Sequence, residues 1–315
     1  MIDVDSTYAK AFPGLPLIFA EGFQEDGRKS MHDHASLAIT SCDGNVCSVT
    51  SVSRAGEYSF MLDGHEVAGD RIQGVRDIAD RLLQLAGIEG SLDIVAENRG
   101  IHSGSSDSGA AALVTAIDGL LGLGLTENQL VAHSMPASET SYRSIYGGLS
   151  MYRLSDGAVA TSQLTDSSFF DDVRIFVCPF DIPRFSADVL HKAVVAHPSY
   201  GGRSREAREK VARLEAMVAD DDLVGVLGLM EGDARRVHGM FDDLGYNVIK
   251  PEMRRVTEIA VKSRDDGLKA YWNVAGGSVV YVFTLREYAE DMAGLLTDAN
   301  IPSQEYRVAG PARII

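Results

Sequence analysis

Residues 100–111 have the composition of a segment that binds phosphate. Glycines and serines, among them Ser103, Ser105 and Ser106, precede a helical pattern rich in alanine. Small residues let backbone N–H groups approach a phosphate without side-chain collision, and a helix N-terminus carries about half a positive charge. Serine hydroxyls can donate to phosphate oxygens or hold Mg²⁺. Because the run has neither a Walker A sequence nor a Gly-x-Gly-x-x-Gly fingerprint, a serine-capped helix after a flexible turn is the alternative.

Two later segments contain residues that suit an anionic substrate. Arg143 can neutralise a carboxylate or a phosphate through a two-point fork, and Glu139 can accept a hydrogen bond from a hydroxyl group. Arg184 follows the end of a predicted strand. In the simpler interpretation, Glu139 and Arg143 are a solvated i,i+4 pair. Arg184 is then a loop residue that pairs with Asp181.

Histidine and cysteine patterns give weaker indications. His32, Asp33 and His34 suggest a metal site, but adjacent strand residues face opposite ways and no fourth ligand is evident. Cys42 and Cys47 flank a turn, and we expect small, half-buried strand residues there, with a redox or metal pair as the alternative. Three cysteines in a chain of 315 residues indicate a reducing compartment without structural disulfides.

The composition is that of a folded protein with an acidic surface. Hydrophobic residues make up 45% of the chain, and 45 Asp and Glu against 29 Lys and Arg give a net charge of -16. Such a surface repels nucleic acids, so a phosphate ligand needs a local device such as a helix N-terminus or an arginine. We find no apolar run of about 18 residues and no secretory signal, so we expect a cytoplasmic protein with no membrane partner.

The order of the predicted elements is irregular, which indicates the α+β class. Alternating residues and turn signals predict several strands before residue 62, and helical spacing follows over residues 75–85. A small-residue helix is predicted over residues 106–121. Further along, the pattern predicts separate helices over residues 223–231 and 234–244.

A polar, acidic and aromatic run over residues 165–172 indicates a domain boundary. We therefore expect an N-terminal domain of residues 1–170, which contains the candidate phosphate loop. A C-terminal α+β domain is expected over residues 171–315.

Three blocks of sequence resemble a known family. Residues 100–111 resemble the phosphate loop of the GHMP kinase superfamily, which ends in a Gly-Ser-Ser-Ala-type run before an alanine-rich helix. Residues 138–148 resemble the Arg-Ser-aromatic-Gly-Gly signature of diphosphomevalonate decarboxylases, and residues 271–278 stand where that family has an Asp-Ala-Gly-Pro run. The resemblance covers nearly the whole chain and implies a GHMP kinase fold with a nucleotide site between two domains.

The departures from the decarboxylases concern the residues that assist decarboxylation. The aspartate that heads the third block is replaced by Ala275, or by Val274 if the alignment shifts by one position. The first-strand region, residues 17–23, lacks the family's lysine. The chain therefore resembles the mevalonate 3-kinases of acid-loving archaea, a branch that phosphorylates the tertiary hydroxyl and stops.

The resemblance implies roles for particular residues. ATP would lie against a set of phosphate-loop residues: His102, Ser103, Gly104, Ser105, Ser106, Asp107, Gly109 and Ala110. Ser106 would bind Mg²⁺, and Asp107 would orient that ion through water or complement the helix dipole. Ser105 and Arg143 would act in catalysis. The substrate would be bound by Leu17 through its backbone, Glu139, Arg143, Ser144 and Arg184, with Arg184 on the carboxylate.

The resemblance also implies an activity, which is ATP-dependent phosphorylation of the 3-hydroxyl of mevalonate in an isoprenoid pathway of archaeal type. Two related activities stay open. These are decarboxylation of a phosphorylated mevalonate through an unrecognised base, and phosphorylation of the 5-position of mevalonate 3-phosphate. From a different class, a GHMP-fold protein that binds its ligand without turnover is also open. We expect a homodimer.

Overall fold

Two β-sheets form the frame of the protein. The structure is a computed structural model that describes residues 6–24, 29–67 and 70–315. The strands in these ranges are β1 (Ser6–Ala11), β2 (Gly14–Ile18), β3 (His34–Ser41), β4 (Cys47–Ala55), β5 (Ser59–Leu62), β6 (His65–Glu66), β7 (Ser91–Arg99), β8 (Leu149–Ser155), β9 (Ala158–Thr165), β10 (Val173–Pro179), β11 (Ala270–Asn273), β12 (Val279–Leu285), β13 (Gln304–Val308) and β14 (Arg313–Ile314). In the described residues, one sheet has the order β14-β1-β4-β7-β5-β6. The other has the order β11-β12-β10-β13-β3-β8-β9, with β2 also paired to β3.

Helices pack on both sheets in an irregular order, which confirms the α+β class. They are α1 (Asp70–Ala86), α2 (Ser105–Leu121), α3 (Glu127–Ser134), α4 (Tyr142–Tyr146), α5 (Ala187–Val195), α6 (Arg203–Ala219), α7 (Leu223–Asp243), α8 (Pro251–Asp265) and α9 (Ala289–Asp298).

Strands from both halves of the chain share the larger sheet. β13 lies between β10 and β3, so that Tyr306 pairs with Ile175 on one side and with Ser41 on the other. The sheet therefore continues across the expected boundary at residues 165–172. The division into residues 1–170 and 171–315 stays a prediction.

Helix α2 packs its small residues against β1 and β4 of the first sheet. Ala111, Ala112 and Ala116 are fully buried, and a Cβ atom at Gly119 would lie 2.4 Å from Cδ1 of Ile314. Only glycine and alanine permit so close an approach of helix and sheet. This packing fixes the position of the N-terminus of α2 and of the loop that precedes it.

Helix α7 differs from the prediction made from the sequence. The prediction of separate helices over residues 223–231 and 234–244 is wrong, because α7 runs unbroken through Gly232. The buried residues Met230, Ala234 and Val237 continue one face of the helix across this glycine. A glycine inside a helix costs about 1 kcal/mol relative to alanine, and burial of this face outweighs that cost.

A buried ion pair joins the segment after β2 to α6 and α7. Arg203 donates to both carboxylate oxygens of Asp233, at 2.6 and 2.8 Å, and the two side chains are 1% and 0% exposed. The same pair binds the backbone of Phe19, whose N–H donates to Asp233 at 2.8 Å and whose carbonyl accepts from Arg203 at 3.0 Å. Lys210 adds a hydrogen bond of 2.7 Å to Asp233. Side chains from the second half of the chain therefore hold a backbone segment of the first half.

Glu21 lies at the margin of this ion pair with its carboxyl group buried. Burial raises the pKa of Glu21 to about 8, although the charge of Arg203, with Nη2 3.6 Å from Oε2, opposes the shift. The folded protein therefore holds a proton on Glu21 at neutral pH that the unfolded chain has released.

Replacement of Asp233 by asparagine should destabilise the fold strongly. The change removes the carboxylate closest to the buried Arg203, for which we expect a loss of about 3 kcal/mol or more in the free energy of unfolding. Urea denaturation would measure it. Asp243→Asn is the control, because this aspartate lies on the same helix with its side chain 74% exposed. Equal effects of the two substitutions would contradict the prediction.

Replacement of Glu21 by glutamine should make stability less dependent on pH. From about pH 4.5, the ordinary pKa of Glu21, to about pH 8, its folded value, the wild type loses free energy of unfolding as the pH rises. One proton sets an upper limit of about 1.4 kcal/mol per pH unit. Glu21→Gln removes this slope, whereas Glu209→Gln at an exposed position of α6 should keep it. Parallel stability curves for wild type and Glu21→Gln would refute the assignment.

Candidate active site

The loop between β7 and α2 has the geometry expected for phosphate binding. Gly104 precedes the helix with a left-handed backbone, φ 80°, and its cap position supplies no side-chain hydrogen bond to the first turn. Ser105 and Ser106 begin the helix with exposed side chains. An N-terminus of this kind presents backbone N–H groups and hydroxyls to an anion.

Gly104 and Gly14 bring three parts of the chain into close contact. A Cβ atom at Gly104 would lie 2.7 Å from the carbonyl oxygen of Gly14 and 2.9 Å from its nitrogen. On Gly14, a Cβ atom would lie 2.1 Å from both Cδ and Nε of Arg143. The phosphate loop, the start of β2 and the Arg143 side chain therefore pack in one layer that has no room for a further methyl group.

Asp107 binds Arg143 instead of facing the loop. The carboxylate is buried and accepts hydrogen bonds from Ser138 at 2.8 Å, from Thr140 at 2.6 Å and from Nε of Arg143 at 2.8 Å. Both oxygens are occupied by partners of the same chain, so the expected role of Asp107 in orienting Mg²⁺ is not supported. Its position makes it a positioning residue for Arg143.

The Arg143 guanidinium is fixed from several sides. Nη2 donates to Thr140 at 2.9 Å and Nη1 donates to Ser36 on β3 at 3.3 Å, while the side chain stays 13% exposed. It also forms an ion pair with Asp107 on α2. Glu139 itself is half-buried.

Two expected substrate contacts lie in the core. Leu17 is 0% exposed and lies at an irregularity of β2, between Pro16 and Ile18, where it has no partner in β3. Ser144 is also buried, and its hydroxyl donates to the carbonyl of Phe12 at 2.7 Å. Neither residue is exposed in this conformation, and their roles in substrate binding stay predictions.

The remaining loop residues surround the start of α2. Ser103 lies beside the hydroxyl group of Tyr281 on β12, and partial burial holds the pKa of His102 below its ordinary value. Gly109 is half-buried and Ala110 is buried, both in the second turn of α2. These two residues lie one turn beyond the exposed start of α2, so they belong to the helix that holds the loop in place.

Arg184 lies beside the turn between β11 and β12. A Cβ atom at Gly277 would lie 3.8 Å from Nη1 of Arg184, whose side chain is exposed. The strand that follows this turn carries Tyr281, which contacts Ser103. β12 therefore connects the neighbourhood of Arg184 with the phosphate loop.

The histidine cluster has structural contacts. His34 is buried, and its Nδ1 is hydrogen-bonded to the hydroxyl group of Tyr142 at 2.9 Å. The two ring nitrogens of His32 face the carbonyl oxygens of Asp33 and Glu21. Over the ranges that the structure describes, no group of three or more His, Cys, Asp or Glu side chains could hold a metal ion.

Cys42 and Cys47 are free thiols in different surroundings. Cys47 is buried in β4, whereas Cys42 is exposed after the end of β3, so the half-buried strand position expected for Cys42 is wrong.

A cavity of about 680 Å³ lies between α3 and β9. Apolar side chains such as Val131, Met135 and Val159 line most of it, together with Lys29. No residue expected in the phosphate or substrate site lines this cavity. The candidate active site is therefore the region around the start of α2.

Two family models match successive parts of the chain. Residues 24–163 match the family described as diphosphomevalonate decarboxylase-like N-terminal domain, and residues 185–290 match that described as mevalonate-3-kinase, C-terminal domain. The two matched parts together span most of the chain, and each matches the branch that contains the diphosphomevalonate decarboxylases and the mevalonate 3-kinases. These matches confirm the resemblance carried by residues 100–111 and 138–148.

Relatives in this branch align over nearly their whole length. The chain is 29% identical to the mevalonate 3-kinase of Thermoplasma acidophilum, with 96% of this chain and 95% of that protein covered. It is 26% identical to the mevalonate-3-kinase of Picrophilus torridus, with coverage of 97% and 96%. A crystal structure of the Thermoplasma acidophilum enzyme with mevalonate 3-phosphate and ADP bound has a TM-score of 0.90, 26% identity and coverage of 99% and 98%. The GHMP kinase fold is thus shared across the full chain.

None of the helices in the described ranges is both long enough and apolar enough to cross a membrane.

Replacement of Gly104 by valine should abolish nucleotide binding. Valine is strained at φ 80°, and its Cβ would collide with the backbone of Gly14. We expect the affinity for MgATP, measured by calorimetry, to fall by about a hundredfold or more. Gly294→Ala in α9 is the control, because it lies outside the phosphate loop and a Cβ atom there has nothing within 4 Å. Unchanged affinity in a folded Gly104→Val protein would contradict the assignment of the loop.

Proposed function

We propose that this protein is a mevalonate 3-kinase, which transfers the γ-phosphoryl group of ATP to the tertiary hydroxyl of mevalonate. One observation carries the proposal: the phosphate loop and Arg143 are intact, while the family's decarboxylation aspartate is replaced by buried apolar residues. Val274 is 0% exposed and Ala275 is 7% exposed, and each belongs to a hydrophobic cluster. Activities of the relatives named above support the same reaction.

ATP would bind with its phosphates at the start of α2. Gly104 lets the backbone approach, and Ser105 and Ser106 supply hydroxyl groups. The residues present fit Mg²⁺ bound mainly by the triphosphate, because Asp107 is committed to Arg143 and the helix start offers serine hydroxyls, that of Ser106 among them, rather than a carboxylate. When bound, Mg²⁺ would neutralise charge on the transferred phosphoryl group.

The chemistry does not require a carboxylate base. Phosphoryl transfer has a loose transition state that makes little demand on the nucleophile, so positioning and charge stabilisation supply most of the rate. Arg143 suits this role because three residues, Asp107, Ser36 and Thr140, hold its guanidinium in place by hydrogen bonds. Ser105 would assist at the phosphate. Decarboxylation needs in addition a group that controls the charge at C3, which residues 274 and 275 do not provide.

Substrate selection would depend on the two ends of mevalonate. Arg184 would bind the carboxylate by a charge-assisted contact, and Glu139 would accept a hydrogen bond from the free 5-hydroxyl. A carboxylate at that position repels a 5-phosphate, which favours unphosphorylated mevalonate over mevalonate 5-phosphate. Cytoplasmic location and assembly as a homodimer stay predictions from the sequence.

The product distinguishes the proposal from its alternatives. With ATP, Mg²⁺ and mevalonate labelled in the carboxylate, we expect mevalonate 3-phosphate and ADP without release of labelled carbon dioxide. Mass spectrometry and trapping of carbon dioxide would measure both, with mevalonate 5-phosphate and mevalonate 3-phosphate as parallel substrates. Release of one carbon dioxide per ADP formed would instead support the decarboxylase alternative. Turnover of mevalonate 3-phosphate alone would support the 5-kinase alternative. No turnover with bound ligand would indicate a binding protein.

A further inference from the structure

Two cations lie at the glycine turn between β11 and β12. Arg184 and Lys250 line the same small cleft of about 10 Å³, together with residues 276–278 of the turn. Nη1 of Arg184 lies near Gly277, and Nζ of Lys250 lies 5.1 Å from the ring centre of Phe185. The two side chains reach the cleft from separate parts of the chain, the loop before α5 and the residue that precedes α8.

Neither cation has an acidic partner in the part of the chain that the structure describes. This is notable in a protein with 45 Asp and Glu against 29 Lys and Arg, in which most buried cations described above are paired. Lys250 is moreover half-buried, so its desolvation is not offset by a counter-ion. Two unpaired cations produce a local positive field on a chain whose net charge would otherwise repel an anion.

We propose that Lys250 is the second cation of the site that binds the carboxylate of the substrate, where it acts together with Arg184. The assignment rests on the proposed function, which supplies an acid as substrate. The two side chains have complementary roles, because the planar guanidinium offers two parallel donors and the ammonium group is a compact charge.

The size of the cleft favours a carboxylate over a phosphate. Its volume of about 10 Å³ is close to that needed for one water-sized atom. One carboxylate oxygen fits this space, whereas a phosphoryl group brings three oxygens. A carboxylate is the smaller of the two anions that this cleft would have to accommodate.

The position of the cleft suits a substrate that also reaches the phosphate loop. Strand β12 begins at the turn and places Tyr281, which contacts Ser103, three residues after Ser278. Three residues of extended strand span about 10 Å. An anion held at the turn would thus lie about 10 Å along β12 from the residue that contacts the phosphate loop.

Steady-state kinetics of the full chain with MgATP would test Lys250. Lys250→Met should raise the KM for mevalonate by about tenfold, the effect of one charge-assisted contact, and leave kcat within about twofold. Lys250→Arg should restore most of the affinity. The matched control is Lys262→Met, which removes the same charge from an exposed position of the same helix. A neutral analogue, 3-methylpentane-1,3,5-triol, should show the same kinetics with wild type and Lys250→Met.

Several outcomes would overturn the assignment. Equal KM values for Lys250→Met and Lys262→Met would show that Lys250 does not contact the substrate. An equal loss with mevalonate and with the triol would show that Lys250 only supports the structure. A loss with mevalonate 5-phosphate alone would show a phosphate site. Absence of mevalonate 3-phosphate from the wild-type reaction would refute the proposed function instead, and calorimetric titration of mevalonate into wild type and Lys250→Met would then test the cation by itself.

Discussion

The geometry of the candidate active site depends on one buried carboxylate, that of Asp107, which requires a positive charge beside it. Asp107 is placed in the first turn of α2 by the packing of that helix on the sheet, where water cannot solvate it. A buried charge of this kind is tolerated only when hydrogen bonds and an opposite charge surround it. Ser138, Thr140 and Arg143 meet that requirement, and in doing so they bring residues 138–143 against the phosphate loop. The orientation of Arg143 is thus a consequence of how α2 is packed.

The same physical rule joins the two halves of the chain. Asp233 and Arg203 satisfy each other and also the backbone of Phe19, so the segment after β2 cannot shift without exposing buried charge. Burial raises the pKa of Asp233, but the charges of Arg203 and Lys210 outweigh it and keep the net pKa below the ordinary value. Arg143 and Arg203 are thus paired with buried carboxylates of the protein itself. Arg184 and Lys250 have no such partner among the described residues, so they are available to bind an anionic ligand.

Local signals made part of this structure predictable. The glycine and serine run and the alanine-rich helix both depend on neighbours a few positions away, and the structure has both of them. The ion pairs were not predictable in this way, because Asp107 and Arg143 are 36 residues apart and Arg203 and Asp233 are 30 apart. Burial of Leu17 and Ser144 likewise depends on packing with distant strands. An aspartate where the family's phosphate loop ends in alanine was the one signal that could have indicated a buried partner.

The place of β13 in the larger sheet has a consequence for the biosynthesis of the protein. β10 and β3 are neighbours of β13 and not of each other, so their facing edges stay unpaired until residues 304–308 have left the ribosome. Pairing of β3 with β13 then closes a loop of more than two hundred residues, and such distant contacts slow folding. During that interval the nascent chain exposes two apolar strand edges of the kind that aggregate. The late completion of this sheet makes β3 and β10 the segments that a chaperone would have to shield during translation.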